Sequence, residues 1–233
     1  MIKYVFDIDG TLTPSRLPMD KIFEEFFTNW IINKNVYLVT GSDKDKTVEQ
    51  IGTRVWSNVT KVYQSCGNQV WKKGKLISEN EFFLTKEMEK ELMIFLKNTS
   101  WKEKFGNHVE QRVGLVNFSI IGRNCPQNKR TEYYNWDNTK KERLHICNKL
   151  MQLFPDIEAS VGGEISIDIH KKGGNKSQIL DEIDGEIYFF GDKMEKGGND
   201  YPIAERLIRE NRPHKLFKVN NPHETWEKLK KIN

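Results

Sequence analysis

A chain of 233 residues with 37 Lys and Arg against 33 Asp and Glu carries a formal charge of only +4, too mild and too dispersed to argue for a nucleic-acid or membrane-surface partner. With 37% hydrophobic and 11% aromatic residues it has apolar surface to bury, which excludes a disordered tail. No apolar run approaches the roughly 18 residues that cross a bilayer, no signal peptide is read at the start, and Cys66, Cys125 and Cys147 lack CxxC spacing, so a cytoplasmic protein without disulfide framework or zinc is expected.

Residues 2–8 form an apolar run that meets carboxylates and then Gly10, the pattern of a buried strand with polar chemistry at its C-terminal end. Residues 20–33 place Ile22, Phe23, Phe26, Phe27, Trp30 and Ile31 at helical spacing, and residues 36–39 read as a second buried strand ending at Thr40-Gly41-Ser42-Asp43. A helix over 43–54 follows, then a strand and hairpin over 61–77 about Gly74. The middle differs in texture. After a helix over 85–98, Val116, Phe118 and Ile120 alternate with Asn117 and Ser119, which predicts a sheet with one polar face. One helix is expected over 138–154, with Leu144, Cys147, Leu150, Met151 and Phe154 on its apolar side; Ile165, Ile167 and Ile169 then alternate with Ser166, Asp168 and His170. Buried-strand style returns after Gly173-Gly174: a helix over 175–183, the run 187–190 ending at Gly191-Asp192, and a helix over 201–210 with Pro202 in its first turn. Lys228, Lys230 and Lys231 read as a solvated basic helix end. The natural parse is a core over 1–81 and 172–233, interrupted by an insert over 82–171.

The sharpest chemical signal is Asp7-Ile8-Asp9-Gly10-Thr11. Two carboxylates one residue apart after a buried strand can divide a phosphoryl transfer, one attacking phosphorus and the other moving a proton to and from the leaving oxygen. Gly10 permits a sharp turn, Thr11 can hold it, and the loop's backbone N–H groups are expected to face the phosphate. Alone, the pair also suits an ordinary turn. Thr40 or Ser42 after the second strand offers a hydroxyl to a phosphoryl oxygen, Asp192 after the run 187–190 offers a carboxylate to Mg²⁺, and Lys176 can neutralise charge; in an open parallel sheet such strand ends converge. In the insert, Arg112, Arg123 and Arg130 suit a multidentate grip on a non-reacting phosphate, the competing reading being surface pairs with Glu110 and Glu132. Ser166 and Asp168 share a strand face, where they can hydrogen-bond sugar hydroxyls or simply be wet.

These motifs resemble the haloacid dehalogenase (HAD) superfamily of aspartate-nucleophile phosphotransferases, and more closely its eukaryotic-type phosphomannomutase family. The resemblance is carried by Phe6-Asp7-Ile8-Asp9-Gly10-Thr11-Leu12-Thr13-Pro14-Ser15-Arg16, by the arginine spacing from Glu110 through Arg130, by Gly162-Gly163-Glu164-Ile165-Ser166-Ile167-Asp168, by Lys176, and by Gly191-Asp192-Lys193 with Gly197-Gly198-Asn199-Asp200. It implies an α/β fold: a Rossmannoid core with a parallel sheet and an inserted α+β cap domain with an antiparallel sheet. It further implies Asp7 as nucleophile, Asp9 as acid–base and Lys176 as core lysine. Mg²⁺ would sit on Asp7, Asp9 (through its carbonyl), Asp192 and Asp200, and Arg16 would join the substrate contacts. The implied activity interconverts mannose 6-phosphate and mannose 1-phosphate for GDP-mannose supply. A hexose 1,6-bisphosphate serves as intermediate and activator, hexose phosphates are the small-molecule partners, and a homodimer forms through the caps. Where the family commonly has Gly-Gly-Ser-Asp, Glu-Asn-Gly and an aspartate, this chain has Thr40-Gly41-Ser42-Asp43, Ser65-Cys66-Gly67 and Asn175, so either Thr40 or Ser42 could contact the reacting phosphate. The alternatives are a sugar-phosphate phosphatase using the same aspartates and a non-catalytic phosphosugar-binding domain.

Overall fold

The computed structural model describes residues 1–232. The chain divides into two compact units, one of Met1–Glu79 together with the chain from Asn175 onward, the other Asn80–Gly174.

The first unit is built on β1 (Lys3–Asp7), β2 (Asn35–Val39), β3 (Lys61–Gln64), β4 (Gln69–Lys72), β5 (Lys75–Glu79), β10 (Ile187–Gly191) and β11 (His214–Lys218), in the spatial order β11-β10-β1-β2-β3-β4-β5. From β11 to β3 neighbours run parallel; β4 and β5 close one edge antiparallel. The interiors of the three central strands, residues 4–6, 36–39 and 187–190, are apolar because both faces are covered. Tyr4, Phe6, Leu38 and Phe190 pack on one side with Phe23 and Phe27 of α1 (Lys21–Trp30), Ile51 and Val55 of α2 (Lys44–Asn58), and Leu229 of α7 (Pro222–Leu229). Val5, Val39 and Phe189 face the other way, onto Ile179 and Leu180 and onto Ile203 and Leu207 of α6 (Tyr201–Arg209). The helix expected over 175–183 is a short 3-10 turn, Lys176–Asp181, begun by the Asn175 side chain, which accepts from Ser177 N. Helix α2 is capped by Asp43 and interrupted at Gly52, whose φ of 75° and ψ of 156° are not helical.

The second unit is an antiparallel sheet, β6 (Val109–Arg112), β7 (Leu115–Phe118), β8 (Ile157–Gly162) and β9 (Ser166–Lys171), in the order β6-β7-β9-β8. Phe118, Ile167 and Ile169 pack with Met88 and Leu92 of α3 (Lys86–Asn98), Tyr133 of α4 (Gln127–Lys140), and Ile146, Cys147 and Leu150 of α5 (Glu142–Leu153). Two expectations are corrected here. The single helix over 138–154 is two helices, parted at Lys141 by a left-handed residue with φ of 56°. Leu144 is 49% exposed and the neighbouring Arg143 takes the interior at 2%. Arg143 is stable there because Asp137 accepts from its Nε at 2.7 Å and the carbonyls of Gly163 and Ser166 accept from Nη1 at 3.0 and 3.2 Å.

Candidate active site

The register of the core sheet brings the chemistry together. β1 lies between β10 and β2, with Asp7 opposite Val39 and Phe6 opposite Phe190, so Asp7, Thr40 and Asp192 emerge at the same ends of three adjacent parallel strands. Asp7 is 2% exposed; its Oδ1 accepts from Lys176 Nζ at 2.5 Å, and its Oδ2 meets the Thr11 hydroxyl at 3.4 Å. Lys176, 1% exposed, also donates to Asp200 Oδ1 at 2.8 Å, and Asp200 Oδ2 accepts from Lys193 N at 3.1 Å.

Asp7, Asp192 and Asp200 offer carboxylate oxygens all within 4.8 Å of one another. Three carboxylates share one buried ammonium, with the exposed Lys193 ammonium 3.9 Å from Asp192 Oδ2. Burial first, then the charges of Asp200 and Asp192, push the Asp7 carboxyl up to about 7 against the pull of Lys176. Burial likewise raises Asp192, with Asp200 adding to the rise. On Lys176 burial works against the charge, but Asp7 and Asp200 outweigh it and hold the ammonium well above its usual range. Asp192 Oδ1 is buried and has no hydrogen-bond partner among the described residues. An orphaned carboxylate oxygen within an all-oxygen cluster of three carboxylates fits a hard divalent cation such as Mg²⁺. Gly10 makes the close approach possible: at φ +81° a Cβ there would lie 2.4 Å from Asp192 Oδ2.

The loop after β1 is tightly wound. The amides of Thr11, Leu12 and Thr13 all point at the Ile8 carbonyl, at 3.2, 2.9 and 3.0 Å, and Gly10 N donates to Thr13 O at 2.7 Å. The N–H groups of residues 10–13 are therefore spent inside the loop. Thr225 of α7 clamps the turn by donating to Thr11 O at 2.7 Å. Asp9 is partly buried, and one of its oxygens, Oδ1, accepts from Arg16 N at 2.7 Å and from Gln50 Nε2 at 2.9 Å. Arg16 is exposed and left-handed, with φ of 62°, which turns its amide back onto Asp9. Thr40 is buried and its Oγ1 accepts from Ser42 N at 3.1 Å, leaving its own O–H to donate; Ser42 is partly exposed. Gln50 had no signal in the sequence, being one glutamine on a predicted helix.

In the second unit, alternation along β6, β7 and β9 puts Glu110, Arg112, Asn117, Ser166, Asp168 and His170 on the sheet face opposite the helices. This face is polar, but it is not simply wet: Asn117 and Ser166 are each 3% exposed. Arg123 donates from Nη1 to Ser166 Oγ at 2.7 Å and from Nε to Glu110 at 2.6 Å, so one of the two surface pairs weighed for the arginines does form. Glu132 instead takes Lys129, and Arg130 lies 3.7 Å from Glu164. Asp168 accepts from Asn117; burial raises its carboxyl, opposed by Arg112, by that hydrogen bond, and by His170 and Arg123. The unit thus gathers Arg112, Arg123, Ser166 and Asp168 into one cluster, with Arg130 at Glu164 on the β8–β9 turn. Sequence reasoning missed Arg143, whose hold on the carbonyls of Gly163 and Ser166 fixes that turn.

Comparison with known proteins bears on family and fold. The family model for eukaryotic phosphomannomutase matches residues 23–233. A phosphomannomutase of Dendrobium officinale is 35% identical, covering 97% of this chain and 92% of its own; that of Saccharomyces cerevisiae is 34% identical, covering 88% and 86%. Among solved structures, a haloacid dehalogenase-like hydrolase from Bacteroides thetaiotaomicron superposes with a TM-score of 0.62 at 12% identity over 100% of both chains. The C-terminal domain of Candida albicans trehalose-6-phosphate phosphatase gives 0.63 at 15% identity, over 98% of this chain and 90% of its own. Those likenesses show the HAD-like fold, and the full-length sequence relatives carry the rest: the chain belongs to the eukaryotic phosphomannomutase family.

Proposed function

We propose that this protein is a phosphomannomutase that interconverts mannose 6-phosphate and mannose 1-phosphate through a phosphoryl group carried on Asp7. The observation that supports the reading most directly is the buried Asp7–Lys176–Asp200 cluster with Asp192 beside it at the strand ends, in a chain of this family. Phosphorylated Asp7 gives its phosphoryl group to the free hydroxyl of a hexose monophosphate; the sugar oxygen bonds to phosphorus as the Asp7–phosphorus bond breaks, and Asp9 takes the hydroxyl proton. The hexose 1,6-bisphosphate then presents its other phosphate, Asp7 attacks, and Asp9 returns the proton to the departing sugar oxygen. Lys176 keeps the Asp7 carboxylate ionised and oriented, and the Thr40 or Ser42 hydroxyl donates to a phosphoryl oxygen. Asp7, Asp192 and Asp200, with the Asp9 carbonyl, would hold Mg²⁺, which would screen the phosphoryl charge.

A mutase must hold its sugar by the phosphate that is not reacting, whereas a phosphatase need not. Arg112, Arg123 and Arg130 serve that grip, with Arg16 contributing from the core, and Ser166 and Asp168 serve the sugar hydroxyls. Replacing Arg123 by alanine is expected to raise KM for hexose monophosphate about tenfold to a hundredfold, the equivalent of a charge-assisted hydrogen bond of ~1.5–3 kcal/mol. Phosphorylation of Asp7 by acetyl phosphate, which has no second phosphate to grip, should be unchanged; equal losses with both would remove Arg123 from the grip. In this reading the protein works in the cytoplasm as a homodimer joined through its second unit, supplying mannose 1-phosphate for GDP-mannose.

The function itself is tested by product analysis with phosphorus-labelled mannose 1-phosphate, with and without a hexose 1,6-bisphosphate. Label recovered in mannose 6-phosphate, with stimulation by the bisphosphate, is expected. Label released as inorganic phosphate at the rate of substrate loss would make the protein a phosphatase.

A further inference from the structure

Gln50 is a neutral side chain, 1% exposed, whose amide reaches into the nucleophile loop. Its Nε2 donates to Asp9 Oδ1 at 2.9 Å and to Thr13 Oγ1 at 3.0 Å, and that hydroxyl meets the Ile8 carbonyl at 3.4 Å. Its Oε1 is buried without a partner among the described residues. This fixes the amide's orientation: turned over, it would set an oxygen against the Asp9 carboxylate and leave two N–H donors unused. The main chain pins the same residue, since Gln50 O accepts from Met19 N at 2.7 Å, just beyond the loop. Two residues on, at the break in α2, Glu24 of α1 approaches Gly52 so closely that a Cβ there would lie 2.3 Å from its Oε1.

Two N–H groups, from Arg16 and Gln50, therefore converge on the same oxygen of Asp9. An oxygen that accepts from two donors is a poor place for a proton, because the O–H would point at an N–H. We propose that Gln50 is a positioning residue which, with the Arg16 amide, reserves Asp9 Oδ1 as an acceptor and leaves Oδ2 to carry the catalytic proton. This rests on the assignment of Asp9 as acid–base. When Asp7 attacks phosphorus, the phosphorus–sugar oxygen bond breaks and the Oδ2 proton passes to that oxygen. In the reverse transfer the sugar hydroxyl returns its proton to Oδ2 as its oxygen bonds to phosphorus. Without Gln50 the carboxyl swings about its Cβ and is protonated on either oxygen, so few collisions find the proton in place.

The role predicts a dependence on the leaving group that a purely structural residue would not produce. p-Nitrophenolate departs without protonation, whereas a sugar alkoxide requires it. In single-turnover phosphorylation with Mg²⁺, Gln50→Leu should slow reaction with glucose 1,6-bisphosphate about 10- to 100-fold, and leave the nitrophenolate burst from p-nitrophenyl phosphate within about twofold of wild type. The isosteric Gln50→Glu, which keeps the volume and loses the donor, should show the same split should the leucine variant fail to fold. Equal losses on both donors, or no loss on either, would overturn the assignment. Asp9→Asn in parallel separates the premises: a selective loss there without one at Gln50 sinks only the role of Gln50, and no selective loss at Asp9→Asn sinks the acid–base reading beneath it.

Discussion

Asp7→Asn is expected to abolish phosphoryl transfer, with turnover at least about 10⁴-fold below wild type, the scale on which removal of a covalent nucleophile is felt. An amide is not a nucleophile toward phosphorus, and the neighbouring carboxylates are held in other contacts: Asp9 Oδ1 accepts from Gln50 and Arg16, Asp200 from Lys176 and the Lys193 amide, and Asp192 lies beside the Lys193 ammonium. The fold should survive the change. Asparagine keeps the shape and an oxygen to accept from Lys176, and it removes a carboxylate whose charge burial already disfavours. Acid-quenched reactions with labelled hexose 1,6-bisphosphate should trap covalent phosphate on the wild type and none on the variant, with melting temperatures a few degrees apart at most. Wild-type turnover, or an adduct elsewhere in the chain, would end the assignment.

Lys176→Met should act on both stability and activity. The ammonium lies 2.5 Å from Asp7 and 2.8 Å from Asp200, all three groups being essentially inaccessible to water. Removing the cation strands two buried carboxylates beside Asp192, and breaking a buried pair in this way costs about 3–5 kcal/mol. For a chain of this size that is a fall in melting temperature of roughly 6–20 °C. Added Mg²⁺ should restore more of the loss in the variant than it adds to the wild type, because a cation in the carboxylate cluster takes over the neutralisation that the lysine provided. Thermal melts with and without Mg²⁺ decide it; a variant that melts with wild type in the absence of metal would show that the lysine does not carry this charge balance.

The core was legible because its central strands are hydrophobic on both faces. Residues 2–8, 36–39 and 187–190 are short apolar runs with nowhere to go but the middle of a sheet, and their ends named Asp7, Thr40 and Asp192 directly. What hydropathy could not show is the polar interior. Arg143 was overlooked in favour of Leu144 because a guanidinium reads as surface until Asp137 and three carbonyls are seen around it. Helix α4 was hidden for the opposite reason: between Gln127 and Lys140 only Tyr133 and Asp137 are fully buried, too few for a periodic signal. The break after it falls on a lysine where a glycine would have been the readable sign. Gln50 belongs with Arg143, as a side chain whose importance lies in whom it touches.

That the first unit is assembled from two separated stretches, with Asn80–Gly174 between them, sets an order of events at the ribosome. The intervening unit is continuous and has its own apolar centre, so it can close as soon as it emerges. β1 must wait. It can pair with β2 early, but its other edge stays open until β10 has been made, more than 180 residues later in the chain, and Lys176, the partner of Asp7, is made only shortly before β10. The nascent protein is therefore obliged to carry an unsheltered hydrophobic strand through most of its translation, the stage at which a holding chaperone would find its binding site.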